Sequence, residues 1–200
     1  MLTVAGVGPG NPRYLTVDVV EKIKEAETII AFGRVGHSIR TIRDDYIEVN
    51  RVDQVIEILD KDRDTLLLAS GDPNFFGIVE FLKRKGVKVD RVLPGLSSFQ
   101  YMMSKLQMSW QECIFVSLHG RDHDLKDILD HKLIIMLIDK INSPSYISKE
   151  LDKLGMKGRM YVGFNLSYDD EKIIRANIGD EIEDYSSLGV VVIENEMAKR

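Results

Sequence analysis

Apolar residues along this chain fall into short, separated blocks, and their spacing alternates between two periods. In the first half, Leu2–Val7, Thr28–Phe32, Thr65–Ala69 and Val87–Leu93 are short, mostly apolar runs. Runs of that length without alternation predict strands covered on both faces. The spacing between them is helical. Val19, Val20, Ile23 and Ala26 mark one face of a helix over Thr16–Ala26, with Thr16 as its N-cap. Val52–Leu59 and Phe75–Leu82 show the same spacing, and Gly86 stops the latter. A further helix is predicted over Leu96–Leu106, capped by Ser97 or Ser98. Such alternation predicts a mainly parallel sheet, whose ligands bind beyond the C-terminal ends of its strands.

The second half changes character. Cys113–Leu118 and Leu133–Ile138 read as strands with Leu125–Leu129 between them, and Pro144–Leu154 as a helix ending at Gly155. Arg159–Phe164, Glu171–Asn177 and Gly189–Glu194 then read as strands with little helix between them, which predicts a more antiparallel sheet. A polar stretch over Gln107–Glu112 marks the boundary. The expected fold is α/β, with two small α/β domains over 1–110 and 111–200, the first sheet mainly parallel and the second mixed. Residues Met197–Arg200 read as a loose tail.

Composition narrows the function classes. Apolar residues make up 44% and charged residues 30%, an ordinary globular balance. A net charge of −5 argues against a nucleic-acid partner, which requires a basic footprint. The longest apolar run, Leu133–Ile138, is far too short to span a bilayer, so no membrane partner is expected. The N-terminus does not read as a signal peptide, and the one cysteine, Cys113, fits a reducing, cytoplasmic setting as a buried small hydrophobe.

Three loops at strand ends carry candidate chemistry. Gly6-Val7-Gly8-Pro9-Gly10 superficially matches a dinucleotide fingerprint, but Asn11 stands where the third glycine belongs. Pro9 also removes an N–H that such a loop would present to phosphate. The loop suits close approach and a rigid turn, or a plain strand–helix connection. Ser70-Gly71-Asp72-Pro73-Asn74-Phe75-Phe76-Gly77 offers a carboxylate, two glycines for close backbone approach and two aromatic rings; its plainer reading is an Asp-Pro turn with two core phenylalanines. Ser97 and Ser98, after Pro94-Gly95, can cap a helix or bond a ligand carboxylate.

Taken in order, Gly-x-Gly-Pro-Gly, Gly71-Asp72-Pro73 and Pro94-Gly95-Leu96-Ser97-Ser98 resemble the tetrapyrrole (corrin/porphyrin) methylase family over essentially the whole chain. The stretches Gly71–Gly77, Val116-Ser117-Leu118-His119-Gly120-Arg121 and Leu188–Glu194 are similar to its branch that methylates C5 of a precorrin. The resemblance implies a methyltransferase that uses S-adenosylmethionine, with the active site in a cleft between two α/β domains. It implies cofactor contacts at Pro9, Ser70, Gly71, Asp72, Phe75, Ser97, Ser98, Met136, Leu137, Asn165 and Leu166. Gly8, Gly10, His119 and Arg121 are expected on the substrate side. Many relatives carry Gly-Gly-Asp-Pro where this chain has Ser70 before Gly71. The resemblance also implies a homodimer, a cobalt-containing substrate of the anaerobic route, and a separate protein for the C15-methylating, decarboxylating activity that some relatives carry as a fused domain.

The remaining polar residues add little. His119 and His123 lack a Glu in zinc-protease spacing and a third ligand, so no metal is expected. Arg121 can grip a carboxylate in a two-pronged bond or lie in solvent. Arg13, Arg34 and Arg51 are further candidates for an anionic rim, while His37 and His131 read as surface or packing residues. No nucleophile elbow is present, so in-line transfer without a covalent enzyme intermediate is expected, and no residue stands out as the base. Other readings are another enzyme of the same family, such as one acting on a modified histidine of a translation factor, or a non-catalytic nucleotide-binding α/β domain.

Overall fold

The computed structural model describes residues 1–59, 63–118, 124–187 and 189–198. The chain divides into two units, Met1–Ser98 and Phe99–Arg200.

The first unit is built on a five-stranded, all-parallel sheet. Its strands are β1 (Leu2–Gly6), β2 (Thr28–Phe32), β3 (Ile47–Val49), β4 (Thr65–Ala69) and β5 (Arg91–Leu93), in the order β3-β2-β4-β1-β5. Strand side chains alternate between faces, and both faces are covered. Ala5, Ile29, Ala31, Leu66 and Leu68 pack with Val19 and Ile23 of α1 (Val17–Glu25) and Val35 and Ile39 of α2 (Gly33–Ile39). On the other face Val4, Ile30 and Leu67 pack with Val55 of α3 (Val52–Ile58) and with Val79 and Leu82 of α4 (Ile78–Arg84). Every residue of β4 is buried, Thr65 with the apolar run Leu66–Ala69 that follows it. Thr16 caps α1, its hydroxyl accepting the Val19 N–H at 3.3 Å. Gly86 closes α4 with φ +74°, while the Val87 N–H reaches back to the Leu82 carbonyl.

Three features depart from the sequence reading. The strand expected over Val87–Leu93 is limited to Arg91–Leu93. The edge of β1 is met first by Asp90, whose carboxylate accepts the Leu2 N–H at 2.9 Å, so the ladder starts one residue later. The helix expected from Phe75 begins at Ile78, because Phe75–Gly77 turn sharply, with Phe76 at φ +49°. Helix α2 and strand β3 were not anticipated; β3 is a three-residue edge strand with Ile47 and Glu48 exposed.

The second unit carries a mixed sheet of β6 (Cys113–Ser117), β7 (Leu133–Ile138), β8 (Gly158–Phe164), β9 (Lys172–Asn177) and β10 (Gly189–Asn195), in the order β6-β7-β10-β8-β9. Only β6 and β7 run parallel; the other pairings are antiparallel, as the strand-rich pattern predicts. One sheet face supplies Ile134, Met136, Met160, Val162, Val191 and Ile193 to a core closed by Ile147 and Leu151 of α6 (Pro144–Lys153). Helix α5 (Ser98–Leu106) groups with this unit from Phe99 onward, and Phe99 packs edge-on against Phe115 of β6 at 4.7 Å between ring centroids. Gly163 makes room for it: a Cβ there would lie 2.8 Å from the Met102 sulfur. Among the described residues no helix is long and apolar enough to cross a membrane, and no cluster of three or more His, Cys, Asp or Glu side chains is placed to hold a metal ion.

Candidate active site

The three sequence motifs of the first unit meet at the C-terminal ends of β1, β4 and β5. The β1–β4 ladder runs past the strands, with the Val7 N–H donating to Ala69 O at 2.9 Å. Gly8 and Gly71 then pair as an isolated antiparallel bridge, Gly71 N–H to Gly8 O at 2.8 Å and the return bond at 3.3 Å. Both residues need the left-handed region, at φ +77° and +65°, which glycine adopts without steric cost. The Gly71 carbonyl is enclosed by backbone. A Cβ on Gly6 would fall 2.4 Å from it, and one on Gly95 2.2 Å. Three loops therefore approach at backbone distance, and Ser97, whose Cα lies 3.8 Å from the Cβ position of Gly71, is buried beside them.

Asp72 pins this arrangement. One carboxylate oxygen accepts the Asn74 N–H at 2.8 Å and the other the Gly95 N–H at 3.2 Å, tying the β4 loop to the β5 loop. The sequence reading cast Asp72 as an acceptor for a ligand; the structure gives both oxygens a backbone partner first. Phe75 is half-buried and its N–H donates to Asp72 O at 3.1 Å. Gly77 serves the turn itself, since a Cβ there would sit 2.2 Å from Pro73 O. Gly8, Pro9 and Gly10 are buried, Ser98 is half-buried at the start of α5, and Ser70 is exposed. Arg13, Arg34 and Arg51 are exposed, following β1, β2 and β3.

In the second unit Met136 is fully buried in the sheet core, so its side chain belongs to packing. Leu137 is half-buried, and its carbonyl accepts the Leu118 N–H at 2.8 Å. Asn165 and Leu166 open the loop after β8. Asn165 takes φ +46° and its Nδ2 donates to Asp170 Oδ2 at 2.6 Å. That bond fixes the amide orientation, because only the NH₂ end can donate to a carboxylate. Asn165 Oδ1 is left buried with no hydrogen-bond partner among the described residues. A buried acceptor without a donor is costly, roughly 1–3 kcal/mol, and is rare enough to point to a missing partner. His119 and Arg121 lie outside the described residues.

Sequence reasoning missed a polar cluster beside that loop. Glu171 accepts the Ser167 N–H at 2.7 Å, and its other oxygen lies 3.3 Å from Lys105 Nζ. The Tyr101 hydroxyl also bonds to this carboxylate, and burial together with the neighbouring charge pushes its pKa up to about 12. Burial works against the Glu171 charge, but Tyr101, the Ser167 N–H and Lys105 outweigh it and hold the carboxyl below its usual range. No local pattern announces this cluster, because its members come from α5 and from the β8–β9 connection.

The tetrapyrrole (corrin/porphyrin) methylase family matches residues 1–181. The chain belongs to this family. Over 210 residues this methylase is 28% identical to the cobalt-precorrin-7 C(5)-methyltransferase of Salmonella typhimurium, covering 97% of this chain and 99% of the relative. Its fold matches the precorrin-6Y methylase of cobalamin biosynthesis from Archaeoglobus fulgidus, with a TM-score of 0.78, 24% identity, and coverage of 98% and 99% of the two chains. It also matches the uroporphyrin-III C-methyltransferase of Thermus thermophilus solved with S-adenosylhomocysteine, with a TM-score of 0.77, 22% identity and 96% coverage of both chains.

Proposed function

We propose that this methylase transfers a methyl group from S-adenosylmethionine to C5 of cobalt-precorrin-7, a step of cobalamin biosynthesis. The observation that carries the reading is the strand-end cradle of Gly8, Gly71 and Ser97, pinned by Asp72, in a chain similar along its length to a C5-methyltransferase.

The residues present fit the cofactor. In the first unit Pro9, Ser70, Gly71, Asp72, Phe75, Ser97 and Ser98 lie on or beside strand-end loops that glycine lets approach one another, and at Gly71 the room a Cβ would take meets only Ser97 Cα, at 3.8 Å. In the second, Met136, Leu137, Leu166 and Asn165 are the expected contacts, and the unpaired Asn165 Oδ1 suits an amine or hydroxyl of a nucleoside. Bound there, S-adenosylmethionine supplies an electrophilic methyl carbon on its sulfonium, open to in-line attack by an electron-rich ring carbon. The chain's own part is to bind, orient and exclude water. Such alignment is worth roughly 7–11 kcal/mol in favourable geometry. Gly8, Gly10, His119 and Arg121 are assigned to the substrate, with Arg121 gripping a carboxylate; no residue is assigned as a base. The reading also includes a homodimer and a separate enzyme for C15 methylation and decarboxylation, both on the strength of the family resemblance, and a cytoplasmic setting, on the strength of the single cysteine.

Calorimetric titration with S-adenosylhomocysteine tests the cofactor site. Saturable one-to-one binding is expected, weakened roughly tenfold by Asn165→Ala through loss of one hydrogen bond worth about 1.4 kcal/mol. Absence of binding to the wild-type protein would overturn the assignment.

A further inference from the structure

We propose that Glu171, held by Tyr101 and Lys105 of α5, is a positioning residue that sets the loop bearing Asn165 and Leu166 for the cofactor. The proposal rests on the reading of Asn165 as a cofactor contact.

The loop between β8 and β9 is held in a shape that Ser167 does not favour. Asn165 adopts the left-handed region at φ +46°, which asparagine tolerates, and Ser167 adopts it at φ +71°, which serine does not favour. Such conformations persist only where the surroundings enforce them. Two short turns close the segment, Tyr168 N–H to Asn165 O at 3.0 Å and Glu171 N–H to Tyr168 O at 3.1 Å. What fixes the loop against the rest of the unit is Glu171. Its carboxylate accepts the Ser167 N–H at 2.7 Å and meets Lys105 at 3.3 Å and the Tyr101 hydroxyl. Tyr101 is 5% exposed and therefore a fixed anchor, and the Lys105 ammonium lies 5.1 Å from its ring centroid. One carboxylate thus joins a buried helix residue to the loop backbone two residues beyond Asn165. A second contact supports the same register: Leu166, 5% exposed, packs over Gly163, where a Cβ would lie 2.7 Å from its Cδ2. The loop residue with the unpaired acceptor is therefore aimed by a network that need not touch the ligand.

A double-mutant cycle tests this, because a residue acting through another gives non-additive losses. The variants are Glu171→Gln, Asn165→Ala and their combination, each measured for S-adenosylhomocysteine affinity and for steady-state methyl transfer. Glu171→Gln is expected to weaken affinity and raise KM for S-adenosylmethionine about tenfold, with kcat at saturating cofactor within about twofold of wild type. The combined variant should bind no more weakly than Asn165→Ala alone. Tyr101→Phe, which removes only a hydroxyl, should give a smaller loss of about threefold and covers the case in which Glu171→Gln folds poorly. Additive losses, or a drop in kcat with KM unchanged, overturn the positioning role while leaving the cofactor site intact. If Asn165→Ala binds as tightly as wild type, the reading of the site fails and the proposal with it.

Discussion

Gly95→Ala is expected to destabilise the first unit by about 3 kcal/mol and to abolish saturable binding of S-adenosylhomocysteine. The added Cβ would sit 2.2 Å from the Gly71 carbonyl and 2.7 Å from the Gly6 carbonyl carbon. Overpacking usually costs 1–3 kcal/mol. The upper end applies here because the clashing atoms are backbone, so no rotamer change relieves them. Relief would require parting the β1, β4 and β5 loops, which would also stretch the Asp72–Gly95 hydrogen bond. Gly86→Ala is the contrasting control. Its Cβ would face nothing within 4 Å, so only its positive φ of +74°, which Gly95 does not have, is penalised; it should lose only about 1 kcal/mol and keep its binding. Urea unfolding of both variants checks the difference; equal losses would mean that the close approach at Gly95 costs no more than the backbone strain at Gly86.

The second large effect is expected at Asp72. Removing its carboxylate in Asp72→Ala leaves the N–H groups of Asn74 and Gly95 without their acceptor. Hydrogen bonds to a charged group contribute about 1.5–3 kcal/mol, and the half-buried Gly95 N–H has the less access to water. A stability loss of about 2 kcal/mol and a roughly thirtyfold loss of S-adenosylhomocysteine affinity should appear together. Asp72→Asn keeps the side-chain carbonyl for one of the two partners and should fall between. The pairing of the two effects is the informative part. A large loss of affinity with unchanged unfolding would make Asp72 a direct ligand contact rather than the clamp between two loops.

The parts of the fold legible in the sequence were those whose burial is locally complete. Thr28–Phe32 and Thr65–Ala69 are strands over the expected residues, since central parallel strands are apolar along their whole length. Edge structure was not legible: β3 buries Val49 but exposes Ile47 and Glu48, so it has no apolar run to read. Val87 and Val89 imitate a strand, yet they pack on the core from a loop, with the Val87 N–H tied back to the Leu82 carbonyl and the Asp90 side chain taking the Leu2 N–H. The strand-end motifs were visible because glycine and proline leave a mark in sequence when backbones approach closely. Their division of labour was not. Asp72 and Gly77 read as groups near a ligand, and the structure adds what they do for the fold, one clamping two loops and the other forming a turn. The Tyr101–Lys105–Glu171 cluster was invisible because only folding brings α5 beside the β8–β9 connection.

The proposed activity is methyl transfer to one carbon of one macrocycle. Incubating the purified protein with cobalt-precorrin-7 and S-adenosylmethionine carrying a ¹³C-labelled methyl group tests it most directly, with mass spectrometry for the product and carbon NMR for the position. The expected result is the mass gain of a single labelled methyl group, carried at C5, with S-adenosylhomocysteine formed in equal amount. An unchanged tetrapyrrole, or a label at any other carbon, would contradict it.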